Sequence, residues 1–185
     1  VRSRLVVLGA VTLLALAACD DKPVDQPAAL PPVEKAEQLP AASAGGACAL
    51  WDYASIQEAI GVRFTVAAAT KVESTSTCVV QTVDATYPDL TLSVVGSTAA
   101  TAEQFLDDLK PAKGIKLKGL GKAAYLLKTP AGGGHGPVTE IGWLTAAKQI
   151  RTLRFTFAAN AKSTAVTAMT RDLFTYAKAM DTTNG

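Results

Sequence analysis

The stretch STCVVQTVDATYPDLTLSVV (residues 76–95) sets two runs rich in Val and Thr on either side of a Tyr-Pro-Asp segment. β-Branched residues pack well on a pleated, half-buried surface, and Pro-Asp between such runs is turn chemistry. Residues 77–83 and 90–95 therefore read as strands with Pro88-Asp89 turning the chain between them. Upstream, residues 64–71 supply a third strand of similar character. Strands joined by loops this short pair antiparallel, because a parallel pair needs a crossover of a dozen residues or more.

Helical spacing flanks this meander. Asp52 or Ser55 can cap a short helix, with Ser55-x-x-Glu58 as a capping box, Ile56, Ala59 and Ile60 as its apolar face, and Gly61 as its stop. Thr101-x-x-Gln104 opens a second helix carrying Phe105, Leu106 and Leu109 on one side, ended by Pro111. Residues 116–126, 139–146 and 150–158 read as three further strands. A last helix, capped by Asn160 or Ser163, repeats Val166, Met169, Leu173, Phe174, Ala177 and Met180 at helical intervals. The expected order is helix-(βββα)-(βββα), an α+β fold with an antiparallel sheet and its helices packed on one face. The folded domain is expected over residues 48–181, with 182–185 as a short tail.

The N-terminal residues have a different character. Arg2 and Arg4 precede an uncharged run over residues 5–17. Thirteen helical residues reach roughly 20 Å, short of the ~30 Å hydrocarbon core, so the run reads as the apolar region of a signal peptide covering residues 1–18. Leu16-Ala17-Ala18-Cys19 resembles the bacterial lipobox, and that resemblance implies cleavage before Cys19 and a lipid on its thiol. A plain secretory signal or an uncleaved anchor is the competing reading. Five of the nine prolines fall in residues 20–47, mixed with Ala, Glu, Gln and Asp. Such composition cannot offset its ordering entropy, so residues 19–47 are expected to form a flexible spacer behind a lipidated cysteine. The expected location is the extracytoplasmic face of the cell membrane, with the lipid on Cys19 as the membrane contact.

With Cys19 assigned to the anchor, Cys48 and Cys78 remain. An even pair in an exported chain points to a disulfide. Closing a loop of thirty residues is worth on the order of 3 to 4 kcal/mol in the chain-entropy treatment. The alternative, a redox or metal pair, lacks a Cys-x-x-Cys spacing, and two thiols with a single histidine fall short of a zinc set. Trp51 is expected to cover the bridge.

Other candidate sites weigh less. Gly132-Gly133-Gly134-His135-Gly136 has neither the lysine of a phosphate loop nor a following helix, so it reads as a hairpin tip with His135 in solvent. Gly119 and Gly121 imply a bulge or sharp turn. Lys110, Lys113, Lys116, Lys118 and Lys122 form the densest basic cluster, beside Asp107 and Asp108. It reads as a solvated strand edge guarded by lysine, or as a dock for an anionic lipid or wall polymer. Taking Arg2 and Arg4 from the 18 basic residues leaves 16 against 16 acidic ones, a balance that gives no case for nucleic acid.

These pieces together resemble the actinobacterial cell-envelope lipoproteins of unknown function. The resemblance rests on the lipobox, the Pro/Ala spacer, Cys48-Ala-Leu-Trp-Asp before a short helix, and Cys78 in a strand. Gly119-Leu-Gly-Lys-Ala-Ala-Tyr125 is similar to a Gly-x-Gly-acidic-x-Ala-aromatic stretch of that family, with Lys122 at the acidic position. It implies a small α+β domain with no established enzymatic activity, and no cofactor is expected. The expected function is a non-enzymatic module that binds an envelope protein or lipid. The alternative is a carrier of a lipid or other apolar ligand.

Overall fold

A computed structural model describes residues 40–96 and 101–184. The signal segment, Cys19 and residues 20–39 of the expected spacer lie outside the described residues. Seven strands form one sheet: β1 (Val66–Val72), β2 (Thr75–Thr82), β3 (Ala85–Val95), β4 (Ile115–Leu117), β5 (Ala123–Thr129), β6 (Val138–Leu144) and β7 (Ile150–Thr156). Their spatial order is β1-β2-β3-β7-β6-β5-β4, and every neighbouring pair is antiparallel. Two meanders, β1 to β3 and β4 to β7, thus meet where β3 pairs with β7. Three helices accompany the sheet, so the α+β class holds.

The second group of strands numbers four, where three were expected. The expected strand over 116–126 is split into β4 and β5 by a loop in which Gly119 and Gly121 both have positive φ. A side chain on Gly121 would collide with the backbone of Leu144, so the loop passes where only glycine fits. Pro88-Asp89 lies inside β3, and the turn falls at Val83-Asp84 instead. Pairing between β2 and β3 slips between Val80 and Thr82. Pro88 sits in that irregularity, where its missing N–H leaves no ladder bond open.

Capping follows the sequence closely. Asp52 caps α1 (Tyr53–Ile60), its Oδ2 accepting the Ser55 N–H at 3.1 Å, and Gly61 closes the helix in the left-handed region. Thr101 and Gln104 form the reciprocal capping box of α2, a short helix over Ala102–Gln104 that continues as one wide turn, Phe105–Leu109. The last helix, α3, spans Ser163–Asn184.

The helices do not all share one face. Alternation along the strands puts Val80, Leu90, Leu92, Leu153, Phe155, Ile141, Trp143 and Ala124 on one side, in a core with Ile56 and Ile60 of α1 and Leu173, Ala177 and Met180 of α3. Ala123 and Tyr125 point the other way and pack with Phe105 of α2 and Leu144. The reason is the chain path. The connection from β3 to β4 leaves the middle of the sheet for its far edge, and Phe105 buries itself on the side that α1 and α3 leave open. The rest of that open face carries Thr77, Thr91, Ser93, Thr152 and Arg154, polar side chains suited to solvent.

Residues 41–47, expected in the spacer, are folded. They form two 3-10 turns, Ala41–Ala44 and Gly46–Leu50, with Ala41 and Ala47 buried. Small side chains let this backbone lie directly on the sheet, and the Ala47 N–H donates to Ser76 Oγ at 2.8 Å. An Ala/Gly run that reads as linker by composition is here a close-packed strap.

Candidate functional site

Cys48 and Cys78 form a disulfide with Cα atoms 4.9 Å apart, joining the strap to β2. Trp51 is buried in the same core. Its Nε1 has no hydrogen-bond partner among the described residues. The bridge lies in the interior: both cysteines are fully buried.

A second tie holds α3 to the far meander. Asp181 accepts the Trp143 indole N–H on Oδ1 at 3.1 Å and the Gly121 N–H on Oδ2 at 3.2 Å. Beside it the buried Arg151 donates to the Met180 carbonyl at 3.2 Å and to Gln149 Oε1 at 3.0 Å. Burial lowers the Arg151 pKa, and the negative charge of Asp181 opposes that shift. A cation on carbonyls near a helix C-terminus also complements the helix dipole. Neither Asp181 nor Arg151 announced this role in sequence, because each finds its partner on another element.

The glycine loop around His135 is a closed turn. Gly132 and His135 exchange backbone hydrogen bonds at 3.2 and 3.1 Å, and the Gly136 N–H donates to the Phe157 carbonyl at 2.8 Å. These three N–H groups are therefore occupied by the chain itself. His135 is half-buried, where solvent exposure was expected. Its Nδ1 donates to the Gly136 carbonyl at 2.6 Å, and its ring lies 5.5 Å from that of Tyr87. Close by, burial raises the pKa of Asp89. Hydrogen bonds from Thr156 and Thr91 and electrostatic interactions with Arg154 and His135 oppose the rise. The cluster brings an acid and an imidazole together, yet no hydroxyl or thiol among the described residues is bonded to the His135 ring. Also among the described residues, no group of three or more His, Cys, Asp or Glu side chains gathers as a metal site requires.

On the open face, Tyr125 crosses Gly142 and donates its hydroxyl proton to Glu140 Oε1 at 2.8 Å. A Cβ at position 142 would overlap the Tyr125 ring, so the glycine is what lets the ring lie flat on the sheet. Burial and then the Glu140 charge push the Tyr125 pKa up, keeping the hydroxyl a donor.

An opening with an apolar floor lies on the other side, between α3 and the β4–β6 part of the sheet. Leu117, Leu126, Ile141 and Phe174 line it, with Thr167, Thr170 and Arg171 from α3 and Lys128 from β5. Its volume is about 260 Å³. The Thr167 and Thr170 hydroxyls donate to the Ser163 and Val166 carbonyls one turn back, so their outer surfaces present methyl groups and oxygen lone pairs. The groove exists because the inward row of β5 runs Ala124, Leu126, Lys128. The third member is charged, cannot be buried, and leaves the core open at that end. None of these residues stood out in sequence. The clue was Lys128 on an otherwise apolar strand face, together with Thr167, Arg171 and Phe174 along one side of α3.

β4 is an edge strand, and Lys113, Lys116, Lys118 and Lys122 are exposed in it and around it. Among the described residues no helix is long and apolar enough to cross a membrane. No known protein family, curated protein or solved structure matches the chain.

Proposed function

We propose that the chain is an exported lipoprotein, held on the extracytoplasmic face of the cell membrane by a lipid on Cys19. Its folded domain is a non-enzymatic binding module of the envelope. The groove between α3 and β4–β6 is its site, and the occupant is an aliphatic chain carrying an anionic group. That groove is the observation that carries the binding reading. Its floor is aliphatic and aromatic, and its lining includes two cationic residues to attract a carboxylate or phosphate: Lys128, and Arg171, whose Nε already bonds Asp172 Oδ1 at 3.0 Å. The buried disulfide supports export, since such bonds persist in oxidising compartments.

The size of the groove favours a module over a carrier. Sites that enclose a small molecule run from roughly 300 Å³ upward and cover most of its surface. An open groove of about 260 Å³ holds one segment of a longer molecule and leaves the rest outside. The carrier reading draws on the same groove and requires it to widen, which transfer of a fluorescent lipid between vesicles would reveal.

A photoreactive residue in place of Thr170, irradiated in native envelope, tests the site. The expected result is a reproducible adduct with a lipid or lipid-bearing protein, absent when the photoreactive residue replaces Val72. Identical products from both positions would count against the groove. Radiolabelled palmitate incorporation that disappears in Cys19→Ser supports the anchor, and incorporation that survives the substitution refutes it.

A further inference from the structure

From Leu109 to Thr139 the chain has six lysines, at 110, 113, 116, 118, 122 and 128, and no acidic residue. The fold gathers five of them around one short edge strand. Lys110 and Lys113 precede β4, Lys116 lies in it, and Lys118 and Lys122 occupy the loop that follows. Two of the large hydrophobic side chains left in solvent stand in the same place, Leu109 at 48% exposure and Ile115 at 60%. Guarding an edge against strand addition needs one or two lysines and no exposed aliphatics. Ile115 points to the α3 side of the sheet and Lys116 to the other, so the cations and aliphatics meet at the edge itself, which has both charge and apolar reach.

We propose that the β4 edge docks on an anionic lipid surface, with the lysines at the headgroups and Leu109 and Ile115 at the acyl boundary. Lysine clusters near a bilayer are drawn to anionic headgroups, and the attraction dies within a Debye length. The two aliphatic residues decide between lipid and an anionic wall polysaccharide: a hydrated polymer offers nothing for Ile115 to enter, whereas the headgroup boundary does. Asp107 and Asp108, exposed just before Leu109, reduce the local charge and set the limit of the surface on that side. The opposite edge lacks the feature, because Lys71 in β1 is followed two residues on by Glu73. Docking here would lay the sheet edge beside the membrane and bring Leu117, which lines the groove, close to it. The inference does not depend on the lipid at Cys19 or on what the groove holds.

The test uses the unmodified full chain and amine acylation, read lysine by lysine by mass spectrometry. Acylation is measured with vesicles of phosphatidylcholine alone and with vesicles containing 30% phosphatidylglycerol. The expected result is at least a threefold slower reaction at Lys113, Lys116, Lys118 and Lys122 in the anionic vesicles. The protection is lost in 0.5 M NaCl, and Lys71 and Lys162 react unchanged. Equal rates in both vesicles, or equal slowing at Lys71, would overturn the proposal. A Leu109→Ser/Ile115→Ser variant, altered only at exposed positions, is expected to lose most of the protection on vesicles. If it keeps full protection, and polygalacturonate protects the same lysines as well as vesicles do, the surface reads polymer charge and the lipid assignment fails.

Discussion

At the β1 edge, the exposed Val66 and Val72 stand among charges of both signs, Arg63, Lys71 and Glu73, and a disulfide-held strap lies across the neighbouring strands. At the β4 edge, Leu109 and Ile115 stand at the start of a segment whose only charges are lysines, and a three-residue strand is all the edge there is. A free sheet edge is a template for pairing with another chain. The first edge lies beside a covalently stapled strand and carries charges of both signs. The second is short and strongly cationic, and it is tied to the body through Asp181 rather than through sulfur. One meander is built to stay shut, and the other leaves a groove and a charged rim in solvent.

The largest effect should come from removing the covalent staple. Cys48→Ala/Cys78→Ala is expected to lower stability by about 3 kcal/mol or more in urea unfolding, from lost loop closure in the unfolded chain. Hydrogen exchange should accelerate first in β1 and β2, and a uniform acceleration through β5 to β7 would break the contrast between the edges. Next comes Asp181→Ala, which leaves the Trp143 indole and the Gly121 N–H without their acceptor. The expected loss is about 1–3 kcal/mol, with Asp181→Asn retaining part of it. Exchange should rise in the Gly119–Gly121 loop while β1 stays protected.

Asp89 gives a smaller, pH-dependent effect. Burial raises its pKa in the folded state, so the native protein holds that proton to higher pH than the unfolded chain does. Ionisation therefore opposes folding. Relative to Asp89→Asn, the wild type should lose stability as pH rises from the ordinary aspartate range through the raised native value, and stay lower above it. Urea unfolding at stepped pH measures this, and a relative gain with rising pH would contradict it. The smallest effect belongs to the exposed lysines: Lys116→Gln/Lys118→Gln should change stability by no more than about 0.5 kcal/mol. A larger loss would mean that these lysines hold the edge rather than present it.

Much of the local structure was legible in the sequence. Asp52, Gly61, Thr101 and Gln104 cap as their chemistry demands, and Leu173, Ala177 and Met180 bury at the spacing that marks a helix face. What escaped was long-range. The alternation of residues 123–127 shows two apolar rows, but only the path of the chain decides that Phe105 covers one of them and α3 the other. Ala41 to Ala47 have a linker's composition, and the burial of Ala41 and Ala47 depends on a sheet surface able to receive them. The groove was hidden for the same reason. Leu117, Leu126, Ile141 and Phe174 are ordinary core residues until Lys128 prevents the core from closing. The sheet order, which sets β1 and β4 at opposite ends, follows from the β3–β7 pairing, and no local pattern encodes it.

The central claim is that the groove between α3 and β4–β6 binds an aliphatic chain with an anionic end. Methyl NMR of the full chain, titrated with dodecanoate below its micelle concentration, addresses it directly. Binding at the groove predicts saturable shifts at the methyls of Leu117, Leu126 and Ile141, with Val66 and Val72 unmoved and the affinity reduced several-fold in Lys128→Gln/Arg171→Gln. Shifts that never saturate, or that are as large at Val66 and Val72 as at Ile141, would contradict it.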